Sequence, residues 1–557
     1  MEQKLNLMRK TIKGKIVFIK SREIKPGKII IENKKIKEII FDDDIEENQF
    51  ILPGLIDSHV HIESSMMTPQ NFGDAIVPHG TIGVVTDPHE ITNVLGIEGF
   101  NFMINNAKES PLKAFFGVPS CVPATDFETS GAKLTANDIE PLLENDSVVA
   151  LSEMMNFPGV IYKDPGVLEK ITMTKKTGKV IDGHAPGLRG DDLTTYINAG
   201  ISTDHEASTY EEGEEKIKKG MKILIREGSA AKNFDALWKL IEKYPDEVML
   251  CTDDSHPDEL QEKGHIDKIV RLGIAKNIDI FKLLQAACLN AIDHYNLPVG
   301  GLKEGDFADF IVVDNLQDFN VLETYINGEK VFDYQTQLSE RTNHHTSLPN
   351  VFNRTKISTN DILLTSQKLK ESVNVIHCFD GSLLTKKEVC TLPVVNGELK
   401  SDMTQDILKL VVINRYDNTP KPAVAFIKGL MLKNGALAST VAHDSHNIIA
   451  VGSDDDLLVK AVNNIIESKG GIIAVSETKT KQLPLPLAGL MSDQPVDEMA
   501  KHYKEINDFC HNELNINMKS PFMTLSFMAL PVIPEIKLSD KGLFDAISFN
   551  FTNLIND

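Results

Sequence analysis

Two histidines in this sequence have the residue type and spacing of metal ligands. His59 and His61 are separated by one residue and end an apolar run. Alternate residues of a β-strand point to the same side, so both imidazoles would face the same space. Histidine is the side chain that most often binds catalytic transition metals. Most His-X-His pairs in sequences are coincidental, so this pair needs support from the rest of the chain.

That support comes from four residues that each lie at the end of another apolar run. With the pair, they form the predicted metal site: His59, His61, Glu153, His184, His205 and Asp253. Two neighbouring cations repel each other unless they share an anionic ligand, and Glu153 could bridge them through its two oxygens. A water between two metals becomes a nucleophile near neutral pH. Asp253 could then carry protons to a leaving group, so Glu153 and Asp253 are the predicted catalytic residues.

Two further polar clusters have both a functional and a plainer interpretation. Residues 87–90, Asp-Pro-His-Glu, could form a second shell, a substrate contact or an additional metal site. The plainer alternative is a helix N-cap by Asp87, with Pro88 at the first helical position. Residues 443–447, His-Asp-Ser-His-Asn, could form a loop that closes over the site or an ordinary polar turn.

Eight apolar runs that alternate with helical stretches carry these residues. They are residues 51–63, 81–90, 112–120, 148–156, 179–186, 201–207, 221–229 and 247–257. Continuous apolar runs are typical of parallel strands, which are buried on both faces. Eight of them predict an α/β fold with a (β/α)₈ TIM-type barrel, whose active site lies at the carboxyl ends of the strands. An open doubly wound sheet is the alternative, disfavoured because no Gly-X-Gly-X-X-Gly turn follows an early strand.

The remaining residues predict two further domains. Residues 1–50 and 301–340 read as strands, with an Asn-Gly turn at 327–328, and are expected to form one small β-sandwich. The barrel is expected over 51–300 and a polar linker over 335–355. Residues 356–557 predict a mixed α/β C-terminal domain, with a helix that has an acidic start at 454–456 and a stop at Gly470.

Composition narrows the cellular setting of the chain. A net charge of −22 over 557 residues argues against nucleic acid or an anionic membrane as the partner. The six cysteines are scattered, no apolar run is long enough to span a membrane, and the N-terminus has no apolar core of a signal peptide. We therefore expect a cytoplasmic enzyme with a small-molecule substrate, and a homo-oligomer because barrels of this size often assemble.

Longer motifs resemble a known family. PGLIDSHVHIESSM is similar to the first-strand motif of the amidohydrolase superfamily, and GLKEGDFADFIVVD to its return to the β-sandwich. Within that superfamily, the chain more closely resembles bacterial adenine deaminases. The segments that carry this resemblance, from about residue 51 to 453, are HIESSMMTP, VTDPHEITNVLG, SEMMNFPGVI, DGHAPGL, TDHEAST, CTDDSHPDEL and VAHDSHNIIAVGS.

The resemblance implies hydrolytic deamination of adenine to hypoxanthine and ammonia, in purine salvage, by a hydroxide between two divalent metal ions. His59 and His61 would bind one metal and His184 and His205 the other, with Glu153 as bridge and Asp253 as ligand and proton shuttle. Many relatives use a carbamylated lysine as the bridge, and its absence argues against the dihydroorotase-like and urease-like branches. Manganese is the expected metal, with iron and zinc as alternatives.

Besides the proton that Asp253 would carry, a ring nitrogen of the substrate needs a proton from a second acid. The sequence does not assign that second acid to a residue. The candidates for it and for substrate binding are His89, Glu90 and Glu227. Two alternative functions stay open at this point: an amidohydrolase that acts on another heterocycle or cyclic amide, and a scaffold that has lost its chemistry. The second is disfavoured because every expected ligand position holds a competent residue.

Overall fold

The structure, a computed structural model, describes residues 9–336 and 348–556, so part of the predicted linker lies outside the described residues. The strands up to residue 333 are β1 (Lys10–Phe18), β2 (Glu23–Glu32), β3 (Lys35–Phe41), β4 (Phe50–Pro53), β5 (Leu55–Val60), β6 (Thr81–Thr86), β7 (Lys113–Val118), β8 (Val148–Met154), β9 (Val180–Gly183), β10 (Thr203–Asp204), β11 (Lys222–Arg226), β12 (Val248–Cys251), β13 (Phe310–Val313), β14 (Val321–Ile326) and β15 (Glu329–Asp333).

The helices of the same region connect the strands from β5 onward. They are α1 (Pro69–Ile76), α2 (His89–Leu95), α3 (Ile97–Ala107), α4 (Ala136–Leu143), α5 (Phe157–Ile161), α6 (Pro165–Thr177), α7 (Gly190–Asn198), α8 (Tyr210–Lys218), α9 (Phe234–Leu237), α10 (Lys239–Lys243), α11 (Pro257–Lys263), α12 (Ile266–Ala275), α13 (Ile280–Leu284) and α14 (Asn290–Tyr295). Short 3₁₀ turns cover Ile62–Ser65 and Val77–His79, and a π-helical turn covers Gln285–Leu289.

Eight parallel strands, β5 to β12, close into a barrel. Strands β5 to β9 pair in sequence order, and so do β10 to β12. At one seam, Ser202 N donates to Ile181 O at 2.9 Å, which joins β9 to the start of β10. At the other, His61 N donates to Asp253 O and Asp253 N to His59 O, each at 3.0 Å. The predicted barrel is confirmed, and the open sheet is wrong because an open sheet leaves its two outer strands unpaired.

The first predicted run, residues 51–63, divides between two sheets. Strand β4 pairs with β1 and β13, whereas β5 begins the barrel. Gly54 lies between them, and a Cβ atom there would come within 2.5 Å of the Ile82 side chain. The chain can therefore change sheets at this point only because glycine lets it pass close to β6.

The terminal strands form one seven-stranded sheet, in the order β15-β14-β13-β4-β1-β2-β3. It curls so that residues from several of its strands share one buried core, among them Ile31, Ile51, Phe310 and Tyr325. The two-residue turn between β14 and β15 has positive φ at Asn327 (51°) and Gly328 (75°). Positive φ at both central residues is the conformation that an Asn-Gly hairpin favours, which confirms the predicted turn.

Residues 348–556, called the C-terminal domain below, form a second α/β unit. Its strands are β16 (Lys370–His377), β17 (Lys386–Val395), β18 (Glu398–Leu399), β19 (Ile407–Ile413), β20 (Ala423–Lys428), β21 (Ala436–Ser439), β22 (Ile448–Gly452), β23 (Gly471–Val475), β24 (Thr480–Pro484), β25 (Ile536–Ser539), β26 (Gly542–Asp545) and β27 (Asn550–Phe551). Its helices are α15 (Asp455–Ser468), α16 (Val496–Asn512) and α17 (Pro521–Ser526), with 3₁₀ turns at Thr359–Ile362 and Phe527–Ala529.

A nine-stranded sheet, β18-β17-β16-β20-β19-β22-β21-β23-β24, is the centre of this domain. Helix α15 packs on one face of the sheet through an apolar stripe that includes Leu458 and Ile465. The Asp454 side chain caps the helix by accepting from the backbone N–H of Asp456 and Leu457. The helix ends at Ser468, and Lys469 and Gly470 follow in left-handed conformations. The predicted acidic start and glycine stop are therefore confirmed.

The C-terminal domain lies against the carboxyl ends of the barrel strands. Ser492 N donates to Met66 O at 2.8 Å, and Asn447 Nδ2 donates to Thr129 O at 2.8 Å. Helix α16 packs on α11 and α1 of the barrel. The barrel mouth is consequently covered by a second domain. Among the described helices, none combines the length and apolar character that a membrane span requires.

Candidate metal centre

The Glu153 carboxylate, at the end of β8, lies among histidines from three other strands. Its Oε1 is 3.3 Å from His61 Nε2, and its Oε2 is 2.7 Å from His184 Nδ1 and 3.3 Å from His205 Nε2. Burial opposes ionisation of Glu153, but these histidines hold its pKa well below its ordinary value. An ionised carboxylate with each oxygen facing a different imidazole has the geometry that a bridging ligand requires.

Asp253 completes this arrangement from the end of β12. Its Oδ1 is 3.0 Å from His61 Nε2 and 3.5 Å from His59 Nε2. Its backbone has a φ of 59°, an uncommon conformation for a residue other than glycine. Hydrogen bonds to β5 on both sides hold that conformation, so the backbone pairing that closes the barrel also places this carboxylate.

Arg226, from β11, binds the second oxygen of Asp253. Its Nη1 donates to Asp253 Oδ2 and also, at 2.5 Å, to Glu206 Oε1. Glu206 in turn lies 3.3 Å from His205 Nε2. Burial opposes ionisation of Asp253, but Arg226 and the histidines hold its pKa well below its ordinary value. The ion pair therefore fixes the direction in which Asp253 points.

The donor set fits two divalent cations. All six predicted ligands are at most 5% exposed. Nε2 of His59 and Nε2 of His184 are buried without a hydrogen-bond partner in the described part of the chain. Buried polar atoms are normally paired, so unpaired imidazole nitrogens beside carboxylates indicate ligands that need a metal. Donor atoms of His59, His61 and Asp253 lie within 4.8 Å of one another, as do those of His59, Glu153 and His205. Imidazole and carboxylate donors suit manganese, iron and zinc.

A loop of the C-terminal domain reaches this centre between β21 and β22. His443 Nδ1 lies 2.5 Å from Glu90 Oε1, and His446 Nε2 contacts the other oxygen of the same carboxylate. Asp444 Oδ1 lies 3.6 Å from His89 Nε2. Residues 443–447 therefore form the loop that closes over the barrel, and the alternative of an ordinary polar turn is wrong.

The cavity between the two domains has one polar and one apolar side. The metal-ligand side chains and their neighbours, among them His61, Glu153 and Asp253, form the polar side. Met155 and three residues of the C-terminal domain, Leu383, Phe527 and Leu530, form the apolar side. A cavity lined by the proposed metal ligands and by an aromatic ring suits a flat heterocycle.

Comparison with known proteins shows the family to which this chain belongs. Residues 50–331 match the amidohydrolase family, and residues 382–550 match the adenine deaminase C-terminal domain. The chain is 51% identical to the adenine deaminase of Methanosarcina mazei over 98% of this chain and 99% of that protein. It belongs to the adenine deaminase family. The adenine deaminases of Salinibacter ruber (48% identical) and Borreliella burgdorferi (45% identical) also match over at least 97% of this chain and 99% of their own length.

The family resemblance predicted from the motifs is thereby confirmed. As a member of the adenine deaminase family, this chain combines the amidohydrolase barrel with a second domain that contributes to the same cavity. The Asp-Pro-His-Glu cluster lies where these domains meet. Helix α2 begins at His89, one residue later than an N-cap by Asp87 requires, although Asp87 Oδ1 does accept from His89 N at 3.1 Å. The side chains of His89 and Glu90 both line the cavity.

The structure does not bring Glu227 to the cavity. Its carboxylate lies 3.6 Å from Lys232 Nζ, and it is absent from the residues that line the cavity in the described chain. Arg226 is there instead. Neighbouring residues of a strand point to opposite sides, so only one of the two could face the barrel interior. Glu227 was predicted as a substrate-binding candidate, and the structure places Arg226, not Glu227, at the cavity.

Sequence reasoning also missed Glu206 and the apolar residues of the C-terminal domain. Glu206 follows His205 directly, and the Thr-Asp-His-Glu run was a signal that could have identified it. Leu383, Phe527 and Leu530 carry no such signal, because apolar residues in a C-terminal segment look the same whether they fill a core or cover a substrate.

Proposed function

We propose that this chain hydrolyses adenine to hypoxanthine and ammonia, as a step of purine salvage. The observation that supports it most strongly is the extent of the similarity to the Methanosarcina mazei adenine deaminase, which covers 98% of this chain. That coverage includes both the barrel and the C-terminal domain, and both contribute side chains to the cavity. A relative that shared only the barrel would support a hydrolase but leave its substrate open.

In this proposal, His59, His61 and Asp253 would hold one divalent metal ion and His184 and His205 another, and Glu153 would be a ligand shared by both. Manganese is the proposed metal, and the same ligands would accept iron or zinc. Such ions would lower the pKa of a water enough to make it a nucleophile near neutral pH, and that nucleophile could attack a ring carbon. Every other part of the reaction has to come from side chains around the cavity.

Asp253 is the proposed proton carrier between that water and the departing amine. The ion pair with Arg226 occupies Oδ2 and leaves Oδ1 beside the histidines. A carboxylate held in one orientation can take a proton at one position and release it at a neighbouring one. Arg226 binds Asp253 directly and is itself held by Glu206, so both residues position Asp253.

His89 and Glu90 are the two predicted substrate-binding residues that lie at the cavity, and we retain both. Glu227 is not retained, since its carboxylate faces Lys232. The proposal requires only a small purine as partner. A cytoplasmic location and a homo-oligomeric assembly stay predictions from the sequence.

An adenine assay with defined metal loading tests the proposal. The protein, stripped of metal and reloaded with manganese, is expected to convert adenine to hypoxanthine, which the change in ultraviolet absorbance reports. The same preparation should be offered other purines, pterins and cyclic amides. Turnover of one of these in place of adenine would favour the alternative amidohydrolase function. No change in any spectrum, with the protein folded and two metals bound, would reject both.

A further inference from the structure

His443 brings an imidazole from the C-terminal domain into the cavity. Only 5% of this residue is exposed, and it lines the same cavity as Glu153 and Asp253. Its Nδ1 lies 2.5 Å from Glu90 Oε1, on the first turn of α2. Its Nε2 is buried and has no hydrogen-bond partner among the described residues. With Nδ1 held by Glu90, Nε2 is the one ring nitrogen left to meet a ligand.

The charges around His443 favour its protonated form. Glu90 faces it from α2, Asp254 from the end of β12 and Asp444 from its own loop, while His446 and His256 are the basic neighbours. Burial opposes a charged imidazole, but Glu90, Asp254 and Asp444 outweigh it and raise the pKa of His443 to about 9. At neutral pH the ring is therefore an imidazolium with an unused N–H inside the cavity.

Deamination of a purine needs such a donor. When a water oxygen bonds to C6, the electron pair of the C6–N1 double bond moves onto the ring nitrogen, and that nitrogen must be protonated. Asp253 already serves the water and the exocyclic amine. His59, His61, His184 and His205 are proposed metal ligands, so none of them has a proton free for the ring.

We propose that His443 is the second acid of the reaction, a catalytic residue supplied by the C-terminal domain, whose Nε2 gives a proton to the purine ring nitrogen. This inference rests on adenine deamination being the reaction. In this inference Glu90 is a positioning residue instead of the substrate contact proposed above: its Oε1 holds the His443 ring through Nδ1 and keeps it charged, and His446 contacts its other oxygen.

The protons balance over one turnover. The water oxygen bonds to C6 as N1 takes the proton of His443 Nε2, which leaves a neutral imidazole. Asp253 moves the remaining hydroxyl proton to the amine, the C6–N bond breaks, and ammonia departs. Hypoxanthine keeps the proton on N1. The next water to enter gives up one proton on activation, and that proton restores the His443 imidazolium.

Replacement of His443 in the full-length, manganese-loaded protein tests the proposal. His443→Asn and His443→Gln should lower kcat for adenine by about 10²–10⁴-fold, the usual contribution of a general acid. Manganese content and thermal unfolding should stay close to wild type. The matched control is His446→Asn, which also removes a Glu90 partner but not a cavity-lining side chain, and it should lose less than tenfold. A His443 variant within threefold of wild-type kcat would overturn the proposal.

The pH profile distinguishes a proton donor from a structural residue. Wild-type kcat should fall on the alkaline side near pH 9, where His443 loses its proton. Glu90→Gln keeps the shape of the side chain but removes its charge. The alkaline limb of the profile, where kcat falls, should therefore move toward the ordinary histidine pKa of about 6.5. An unchanged limb in Glu90→Gln would reject the inference even if the His443 variants do not fold. Absence of adenine turnover in wild type would instead reject the proposed function.

Discussion

Arg226 and Asp253 form a buried ion pair that divides the two oxygens of the aspartate between separate tasks. Oδ2 accepts from the guanidinium, and Oδ1 lies 3.0 Å from His61 Nε2. Because Arg226 also binds Glu206, one cation serves two carboxylates at the barrel mouth. The orientation of the proposed proton carrier thus depends on a residue from the neighbouring strand.

Replacement of Arg226 by methionine should damage both activity and stability. The change leaves Asp253 and Glu206 buried without their cation, a loss of about 3–5 kcal/mol for a broken buried pair. We expect kcat to fall by about 100-fold, since the orientation of the proton carrier is lost. Thermal unfolding and steady-state kinetics provide the measurements. The control is Arg271→Met, which breaks the partly exposed pair with Asp267. Equal effects of the two substitutions would contradict the assigned role of Arg226.

Asp253→Asn and His59→Ala should separate proton transfer from metal binding. The amide retains an oxygen ligand but cannot accept and release a proton, so turnover should disappear while metal content changes little. Removal of the His59 imidazole should lower metal content and activity together. Elemental analysis beside the adenine assay distinguishes the two results. Retained turnover in Asp253→Asn would show that another group carries the proton.

Metal removal should destabilise the fold as well as stop the reaction. Without cations, Nε2 of His59 and of His184 stay buried with no hydrogen-bond partner among residues 9–336 and 348–556, which is unfavourable. Manganese at about 100 times its dissociation constant should stabilise the protein by about 2.7 kcal/mol per site. Differential scanning calorimetry of the chelator-treated and reloaded protein measures the effect. A melting temperature that does not respond to manganese would argue against metal at this cluster.

Lys537 should make the apolar side of the cavity sensitive to pH. Its Nζ donates to Leu383 O at 2.5 Å and to Phe527 O at 3.0 Å, and burial lowers its pKa to about 7. The unfolded chain binds the proton more tightly than the folded one between pH 7 and about 10.4, so stability should rise with pH in that range. In Lys537→Met, this contribution to the rise of the unfolding free energy with pH should vanish. Urea unfolding at several pH values compares the two, and identical slopes would refute the assignment.

The same variant should also bind adenine more weakly. Leu383 and Phe527 are residues of the cavity, and Lys537 holds both of their backbone carbonyls. Loss of these hydrogen bonds should raise KM, because Leu383 and Phe527 are then no longer held at the cavity. A fall in kcat with unchanged KM would contradict this.

Much of the polar side of the site was predictable because strand geometry is regular. Side chains of a strand alternate between its two sides, so His59 and His61 were expected to point the same way. The carboxyl ends of parallel barrel strands meet at one face, so Glu153 was expected beside them. That Arg226 lines the cavity and Glu227 does not depends on the exact phase of β11, which a single sequence does not supply. The division of residues 51–63 depended on Gly54 passing close to Ile82, a contact between separate strands.

The apolar side of the cavity was not predictable for a different reason. Phe527 is 374 residues from Glu153 along the chain, and only the docking of two domains brings them to one cavity. No local periodicity records such docking. The loop at 443–447 was identifiable only because its polarity contrasts with the buried strands on either side.

The C-terminal domain covers the barrel mouth and is translated after the barrel. Metal binding and closure of the site can therefore occur in a fixed order during synthesis. A ribosome releases the N-terminal segments first, and domains fold as units as they emerge. We therefore expect the histidine cluster at the barrel mouth to assemble, open to metal ions, before residues 443 and 527 have been translated. Cofactor uptake can precede closure, and catalytic competence arrives only with the last third of the polypeptide. A nascent chain arrested before that point would therefore be able to hold metal without consuming purine.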